Sequence, residues 1–491
     1  MAKKKRIVTE TPRQDAFDAA WEKFRPLVPA EELAAVEESF TRPLAQTFRI
    51  NPLKTDLGQL EKMAARYGWK LEPVAFCPEG FRLLEAEKIP SMTAEHAAGQ
   101  LYIQDSASMV PVMLYDAERL ADAPLILDLA ASPGGKTTHL CARSMDRGLI
   151  LANDSSASRI TALKTVLKNW GCVRNAVTNF PGESYGDFFP NTFDLILLDA
   201  PCSMQSLVSI DSHPMRPISE REEMALAQRQ TALLTSALRA LKPGGQLVYS
   251  TCTLSPDEDE AVVDAVLKRF PGKVRVADAG KRLPTPAPGL TRTPNAVFDP
   301  TLAGTVRLWP HRFQTAGFFA SLLEKTDDFD ESAEMPPVRP WSKSSFSAVP
   351  GSTERDYAAW TAEQLGVDLK DLLSEIGCVL QQRGDELWML PERFLERFET
   401  LPCKSIGIRA AKCSAGGFIP DRDWISRFFT RIAGERRVLS PEACAMWRTG
   451  QDIHTETAGL AKGRLILMTD DHGVFIGSGR VSGERIRNLE K

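Results

Sequence analysis

Two short segments carry residue types able to do covalent chemistry: Asp199-Ala-Pro-Cys202-Ser203 and Ser250-Thr-Cys252-Thr-Leu-Ser-Pro256. A free thiol has a pKa of about 8.5, so a cysteine is a nucleophile at neutral pH only where its surroundings stabilise the thiolate. Most cysteines are instead small buried apolar residues, and any one of the nine in this chain read alone would be taken so. Two of them at the ends of two apolar runs, each in a polar loop and with Asp199 beside them, argue for more. One reaction that needs such a set is methyl transfer to C5 of cytosine. That carbon is a poor nucleophile until a thiolate adds at C6, an acid acts near N3, and a further group assists the later elimination.

Such residues need a frame that brings them together. From Pro124 onward short apolar runs alternate with amphipathic stretches. LILDLA (125–130), LILAND (149–154), NAVTNF (175–180), FDLILLDA (193–200) and QLVYST (246–251) read as strands, the fourth of them apolar as a central parallel strand should be. Between them KTTHLCARS (136–144), SRITALKTVLKNWG (158–171) and the long 220–245 stretch, ending in Pro-Gly-Gly, read as helices. This repetition predicts a doubly wound α/β sheet. The carboxyl ends of its strands open on one crevice, where Asp199, Cys202 and Cys252 would meet. Upstream, residues 16–60 read mainly as helix with a strand-like piece at 46–51, and 101–121 as helix again.

The turn Asp-Leu-Ala-Ala-Ser-Pro-Gly-Gly-Lys-Thr (128–137) joins the first strand to its helix. Gly134 and Gly135 let backbone approach a ligand at a helix N-terminus, where free N–H groups favour negative charge. The spacing is neither a Walker loop nor G-x-G-x-x-G. Asp154 closes the second strand, where a carboxylate takes ribose hydroxyls in this architecture, although a helix cap would also place an Asp there. Turn and carboxylate together favour a nucleoside cofactor.

With these residues in view the chain resembles the RsmF-type branch of the NOP2/Sun family of RNA cytosine-C5 methyltransferases. The resemblance is carried by TFRINPLK (47–54), LYIQDSASMVPV (101–112), DLAASPGGKTTHL (128–140), LANDSSASR (151–159), LLDAPCS (197–203), LVYSTCTLSPDEDEAVV (247–263) and RLWPHRFQTAGFFASLLEK (307–325). It implies that Cys252 is the nucleophile, Cys202 assists product release and Asp199 faces the base. It implies contacts to S-adenosylmethionine from Ala130, Ala131, Ser132, Pro133, Gly134, Gly135, Lys136, Asp154 and Asp199, and it calls for no metal. The implied architecture is a Rossmann-like class I methyltransferase sheet of seven strands (101–326), preceded by an N-terminal RNA-binding region (1–100). A linker (327–355) leads to a C-terminal PUA-like α+β region (356–491). The chain departs from the family twice. Met204 and Ser206 replace glycines after Cys202 with no basic pair following, which predicts a differently shaped loop. Pro181 stands where the third strand usually ends in an Asp facing the cofactor's adenine.

At 491 residues with 43% hydrophobic and 25% charged, the composition is that of a soluble protein of several domains. No apolar run approaches the ~20 residues of a membrane span. The MAKKKR start is no secretory signal, and scattered, odd-numbered cysteines suit a reducing cytoplasm. A monomer is expected. With a net charge of −4, an RNA partner must rest on local patches. Residues 403–440 offer one, eight basic against three acidic, interleaved with Trp424, Phe428 and Phe429. The substrate expected is 16S ribosomal RNA or the small ribosomal subunit. Transfer RNA, or a catalytically impaired RNA-binding assembly factor, is the alternative.

Overall fold

The apolar runs after Pro124 do form parallel strands: β1 (Leu125–Asp128), β2 (Leu149–Asn153), β3 (Asn175–Thr178), β4 (Phe193–Asp199) and β5 (Leu241–Thr251). The computed structural model describes residues 11–40, 42–206, 218–329, 345–454 and 459–490. Every residue of β1, β2 and β3 is buried, because helices cover both faces. Three further strands, β6 (Val274–Val276), β7 (Val306–Leu308) and β8 (Phe318–Lys325), complete the far side. The order is β6-β8-β5-β4-β1-β2-β3, with β8 antiparallel to β5 and β6 and with β7 pairing β8. From β1 the chain runs outward to β3 and returns to β4 beside β1. That reversal opens a crevice above the carboxyl ends of β1 and β4.

The helices follow their sequence signals. Those used below are α1 (Gly135–Arg143), α2 (Ile160–Trp170), α3 (Glu220–Ala240) and α4 (Glu260–Arg269). α2 buries Ile160, Leu163, Leu167 and Trp170 along one stripe and ends at Gly171, whose φ of +85° is the left-handed conformation glycine favours. α3 starts at Ser219, whose side chain accepts the Glu222 N–H at 3.2 Å.

Residues 16–60 are mainly helical with a strand at Thr47–Ile50, as expected, and that strand belongs to a sheet whose other strands lie beyond them. Helices Thr11–Phe24, Leu33–Ser39 and Leu57–Tyr67 are joined by a four-stranded antiparallel sheet of Lys70–Val74, Cys77–Glu85, Thr47–Ile50 and Leu101–Ile103. Residues 101–121 are not one helix. Leu101–Ile103 pairs with Thr47–Ile50, and Pro111, which has no N–H, sits at the start of the short helix Val110–Met113.

The C-terminal part carries two five-stranded sheets, and its first long helix, Gly351–Leu365, begins inside the stretch expected to be linker. Residues 330–344 of that stretch lie outside the described residues. The expected hairpin about Asp471–Gly473 is present between Leu465–Thr469 and Phe475–Ser482. This region is docked on the central sheet: Ser405–Ile406 pairs antiparallel with β3 and closes its edge. Lys54 Nζ donates to Ala98 O, Asn169 O and Ser426 Oγ at 2.9, 2.7 and 3.0 Å, tying all three parts of the chain together.

The basic–aromatic segment 403–440 is largely this joint and the core beside it. Trp424 and Phe428 are buried, Arg409 pairs with Asp421 and Glu386, Arg431 pairs with Glu375, and Arg427 donates to Leu53 O at 2.8 Å. The expected stacking surface for bases is therefore not offered by Trp424 or Phe428. Residue counts along a segment do not say which face is spent inside the protein.

Candidate active site

The register between β4 and β5 sets Asp199 opposite Ser250, and Ser250 Oγ donates to Asp199 Oδ1 at 2.8 Å. Lys136, from the first turn of α1, reaches the other oxygen, Oδ2, at 2.7 Å. A few residues beyond the two strand ends, the Sγ atoms of Cys202 and Cys252 lie 3.2 Å apart, both half-buried. All nine cysteines are free, and Cys77, Cys141, Cys172, Cys378 and Cys444 are the buried apolar residues the sequence led one to expect. The pair is asymmetric. A hydrogen bond to Cys252, then burial, then the negative charges of Cys252 and Glu258 hold the Cys202 thiol well above its ordinary pKa. Cys202 is thus a sulfur whose surroundings hold its proton on. Burial alone would lower the Lys136 pKa, yet the charge and hydrogen bond of Asp199 more than offset it, so the ammonium stays charged.

The glycine turn is shaped by packing as well as by access. Gly134 has φ +113°, and a Cβ there would stand 2.9 Å from Val166 Cγ1 of α2. Asp154 is buried and partly satisfied: Oδ2 accepts the Ser132 N–H at 3.2 Å and Oδ1 the Ser156 N–H at 2.8 Å. It therefore orders the turn, and it does not cap the next helix, which begins at Ile160 with Arg159 as its N-cap. Pro181 offers only its carbonyl, which accepts from Ser184 Oγ at 3.2 Å. Asp128, which sequence reasoning did not single out, ends β1 fully buried. Its Oδ2 accepts from Thr137 Oγ1 at 2.6 Å while Oδ1 has no partner. An orphaned buried carboxylate oxygen beside helix-start N–H groups and a close-approach glycine turn suits a ligand carrying both an ammonium and a carboxylate, which is the amino-acid end of S-adenosylmethionine.

Burial raises the Asp128 pKa to about 7. The native state then binds this proton more tightly than the unfolded chain, so the carboxyl's contribution is complete at low pH and fades as pH rises through about 7. Asp128→Asn removes that dependence. In urea unfolding, the variant's stability relative to the parent is expected to rise from pH 5 to pH 8; a difference flat in pH would overturn the reading of Asp128.

Cys77, Glu79 and His139 also gather, with their ligating atoms within 4.8 Å of one another. The surroundings are cationic. Arg143 takes Glu79 at 2.9 Å, and burial with the charges of Arg49, Arg143 and Lys136 holds His139 neutral. This cluster packs the N-terminal sheet against α1, and a further cation beside two guanidinium groups would be repelled.

Sheet order, an antiparallel β8 between β5 and β6, and the glycine-turn crevice define a class I Rossmann-like methyltransferase. A profile of 16S rRNA methyltransferase RsmB/F matches residues 117–324, and one of the N-terminal domain of 16S rRNA methyltransferase RsmF matches residues 18–106. The chain is 34% identical to ribosomal RNA small subunit methyltransferase F of Klebsiella pneumoniae over 455 residues, covering 91% of this chain and 89% of that one. Identity to the Escherichia coli O127:H6 protein of the same name is 33% with the same coverage. A methyltransferase homologue from Pyrococcus horikoshii superimposes with a TM-score of 0.53 at 28% identity, covering 62% of this chain and 99% of that one. The chain belongs to the RsmB/F family of 16S rRNA methyltransferases. It is an RNA methyltransferase, and its cofactor is S-adenosylmethionine. Among the described residues no helix is long and apolar enough to cross a membrane.

Proposed function

We propose that the protein methylates C5 of a cytosine in 16S ribosomal RNA through a covalent bond from Cys252 to C6 of the base. The observation that carries this is the pair of sulfurs 3.2 Å apart beside the Lys136–Asp199 ion pair. A methyltransferase acting on a more nucleophilic atom has no use for two thiols at adjoining strand ends. The target base must leave any helix to reach Cys252, at a cost of about a few kcal/mol. Cys252 then adds to C6 while N3 takes up a proton from water, and the Asp199 carboxylate, aimed by Lys136 and Ser250, accepts from the resulting N3–H. When bound, S-adenosylmethionine supplies an electrophilic methyl group to C5; Ala130 to Lys136, Asp128, Asp154 and Asp199 would hold it. Loss of the C5 proton expels Cys252, and the Cys202 thiol hydrogen-bonds the departing sulfur. The N-terminal region (1–100) and the C-terminal region (356–491) grip the RNA. The second C-terminal sheet acts as the PUA-like unit, supported by exposed Lys462, Arg485 and Arg487.

Incubation with S-adenosylmethionine and 16S RNA containing 5-fluorocytosine tests this, because fluorine cannot leave C5 as a proton does. A denaturant-resistant protein–RNA adduct is expected, and sequencing it names the cytosine. Trapping in transfer RNA instead would change the substrate. No adduct with RNA and cofactor bound would leave an RNA-binding assembly factor.

A further inference from the structure

Between the two cysteine loops lies a buried carboxylate with no cationic partner among its hydrogen bonds. Glu258 is fully buried. It accepts the Ser203 N–H at 3.0 Å, a short bond from Ser203 Oγ, and Gln230 Nε2 at 2.8 Å. Gln230 Nε2 also donates to Pro201 O at 2.9 Å. The residues on either side of Cys202 are thus held by one carboxylate and one amide. Ser203 Oγ further lies 3.1 Å from Thr253 Oγ1, so the residues directly after each cysteine are coupled through the same centre. The hold matters because Met204 has φ +58°, a conformation glycine adopts freely and other residues only at a cost of about 1–3 kcal/mol. A loop that gains nothing from its own conformational preference needs an external anchor, and Glu258 is that anchor.

We infer that Glu258 is the positioning residue for Cys202, fixing its sulfur against Cys252 for the step that releases methylated RNA. The inference rests on the proposed Cys252 chemistry. In that step the C5–H bond breaks and its proton passes to water. The C–H electron pair becomes the C5–C6 double bond, and the C6–Sγ pair returns to Cys252, where the Cys202 S–H stabilises the charge. Glu258 touches neither base nor cofactor and acts only through the pose of the Cys202 loop.

Glu258→Gln keeps the shape but removes the charge and turns one accepting oxygen into an NH2 group, which faces either Gln230 Nε2 and the Ser203 N–H or the Ser203 hydroxyl. Ser203→Ala removes the hydroxyl and leaves the carboxylate in place. Both full-length variants would be given unmodified 16S RNA transcript and radiolabelled S-adenosylmethionine. The expected signature is a first methyl transfer at the parent's rate, a fall of at least about 10-fold in steady-state turnover, and accumulation of a methylated protein–RNA adduct on denaturing gels. Ser203→Ala should show the same pattern more weakly, and Cys202→Ala the extreme of it. Should Glu258→Gln not fold, as circular dichroism would show, Ser203→Ala carries the test alone. Turnover like the parent's without adduct overturns the inference. So does a folded variant that loses the first methyl transfer, since Glu258 would then serve the whole site. Failure of the underlying reading looks different: the parent would form no adduct with 5-fluorocytosine RNA and Cys252→Ala would still methylate.

Discussion

Cys252→Ala is expected to abolish RNA methylation, with a fall of about 10⁴-fold or more, whereas Cys202→Ala should complete one methyl transfer per protein and then stop as a covalent adduct. Removing a covalent nucleophile commonly costs about this much or more, because no neighbour can take over the bond. The two cysteines share a hydrogen bond across 3.2 Å, so distance alone does not tell them apart. Their surroundings do. Cys202 sits beside the buried Glu258 carboxylate, whose charge, added to the Cys252 hydrogen bond and burial, keeps its proton on. Cys252 instead stands on the side of the Lys136 ammonium, which its charge helps to hold protonated. Cys202 is the thiol whose surroundings hold its proton on, which in the proposed reaction leaves the nucleophile's part to Cys252. The measurement is methyl incorporation into 16S RNA beside denaturing gels for adduct. A dead Cys202→Ala with an adduct-forming Cys252→Ala would exchange the two roles.

The central sheet was legible because burial on both faces writes itself as unbroken apolar runs, and Asp199, Cys202 and Cys252 were found from those runs. The N-terminal sheet was not. Lys70–Val74 and Cys77–Glu85 are partly exposed and irregular, and the pairing of Cys77–Glu85 with Thr47–Ile50 is a long-range event with no local signal. Met204 stands where glycine was expected and takes a left-handed φ, while Pro201 and Ser203 on the same loop are held by Gln230 and Glu258. Glu258 was visible only as a letter in the Ser-Pro-Asp-Glu-Asp-Glu run. Its role appears once α4 and its preceding turn fold back under the Pro-Cys loop. The same holds for Asp128, whose orphaned oxygen depends on what the fold leaves unpaired.

The second large effect concerns what holds the Cys252 loop from below. Arg307 on β7 is fully buried. Its Nε lies 3.0 Å from Glu260 Oε1, its Nη1 donates to Leu254 O at 2.9 Å, and its Nη2 contacts Asp259 Oδ2 at 3.1 Å and Glu260 Oε2. Asp259 in turn accepts from Thr251 Oγ1 at 2.5 Å, next to Cys252. A buried ion cluster of this kind gains little over apolar packing when intact, but breaking it leaves charge stranded in the interior. Arg307→Met should therefore cost about 3–5 kcal/mol of stability. Burial already raises the Asp259 pKa, with Glu260 adding to it, and Arg307 opposes both. Without the cation the Asp259 pKa rises further, so the native state holds its proton more tightly than the unfolded chain. The loss should then be smallest at pH 5 and grow as the pH is raised to 8. Arg307→Met combined with Asp259→Asn and Glu260→Gln removes the stranded charge and should recover much of the stability at pH 8. Urea unfolding of the three proteins at both pH values decides it: a loss below about 1 kcal/mol, or one independent of pH, would mean that the cluster is hydrated and does not brace the Cys252 loop.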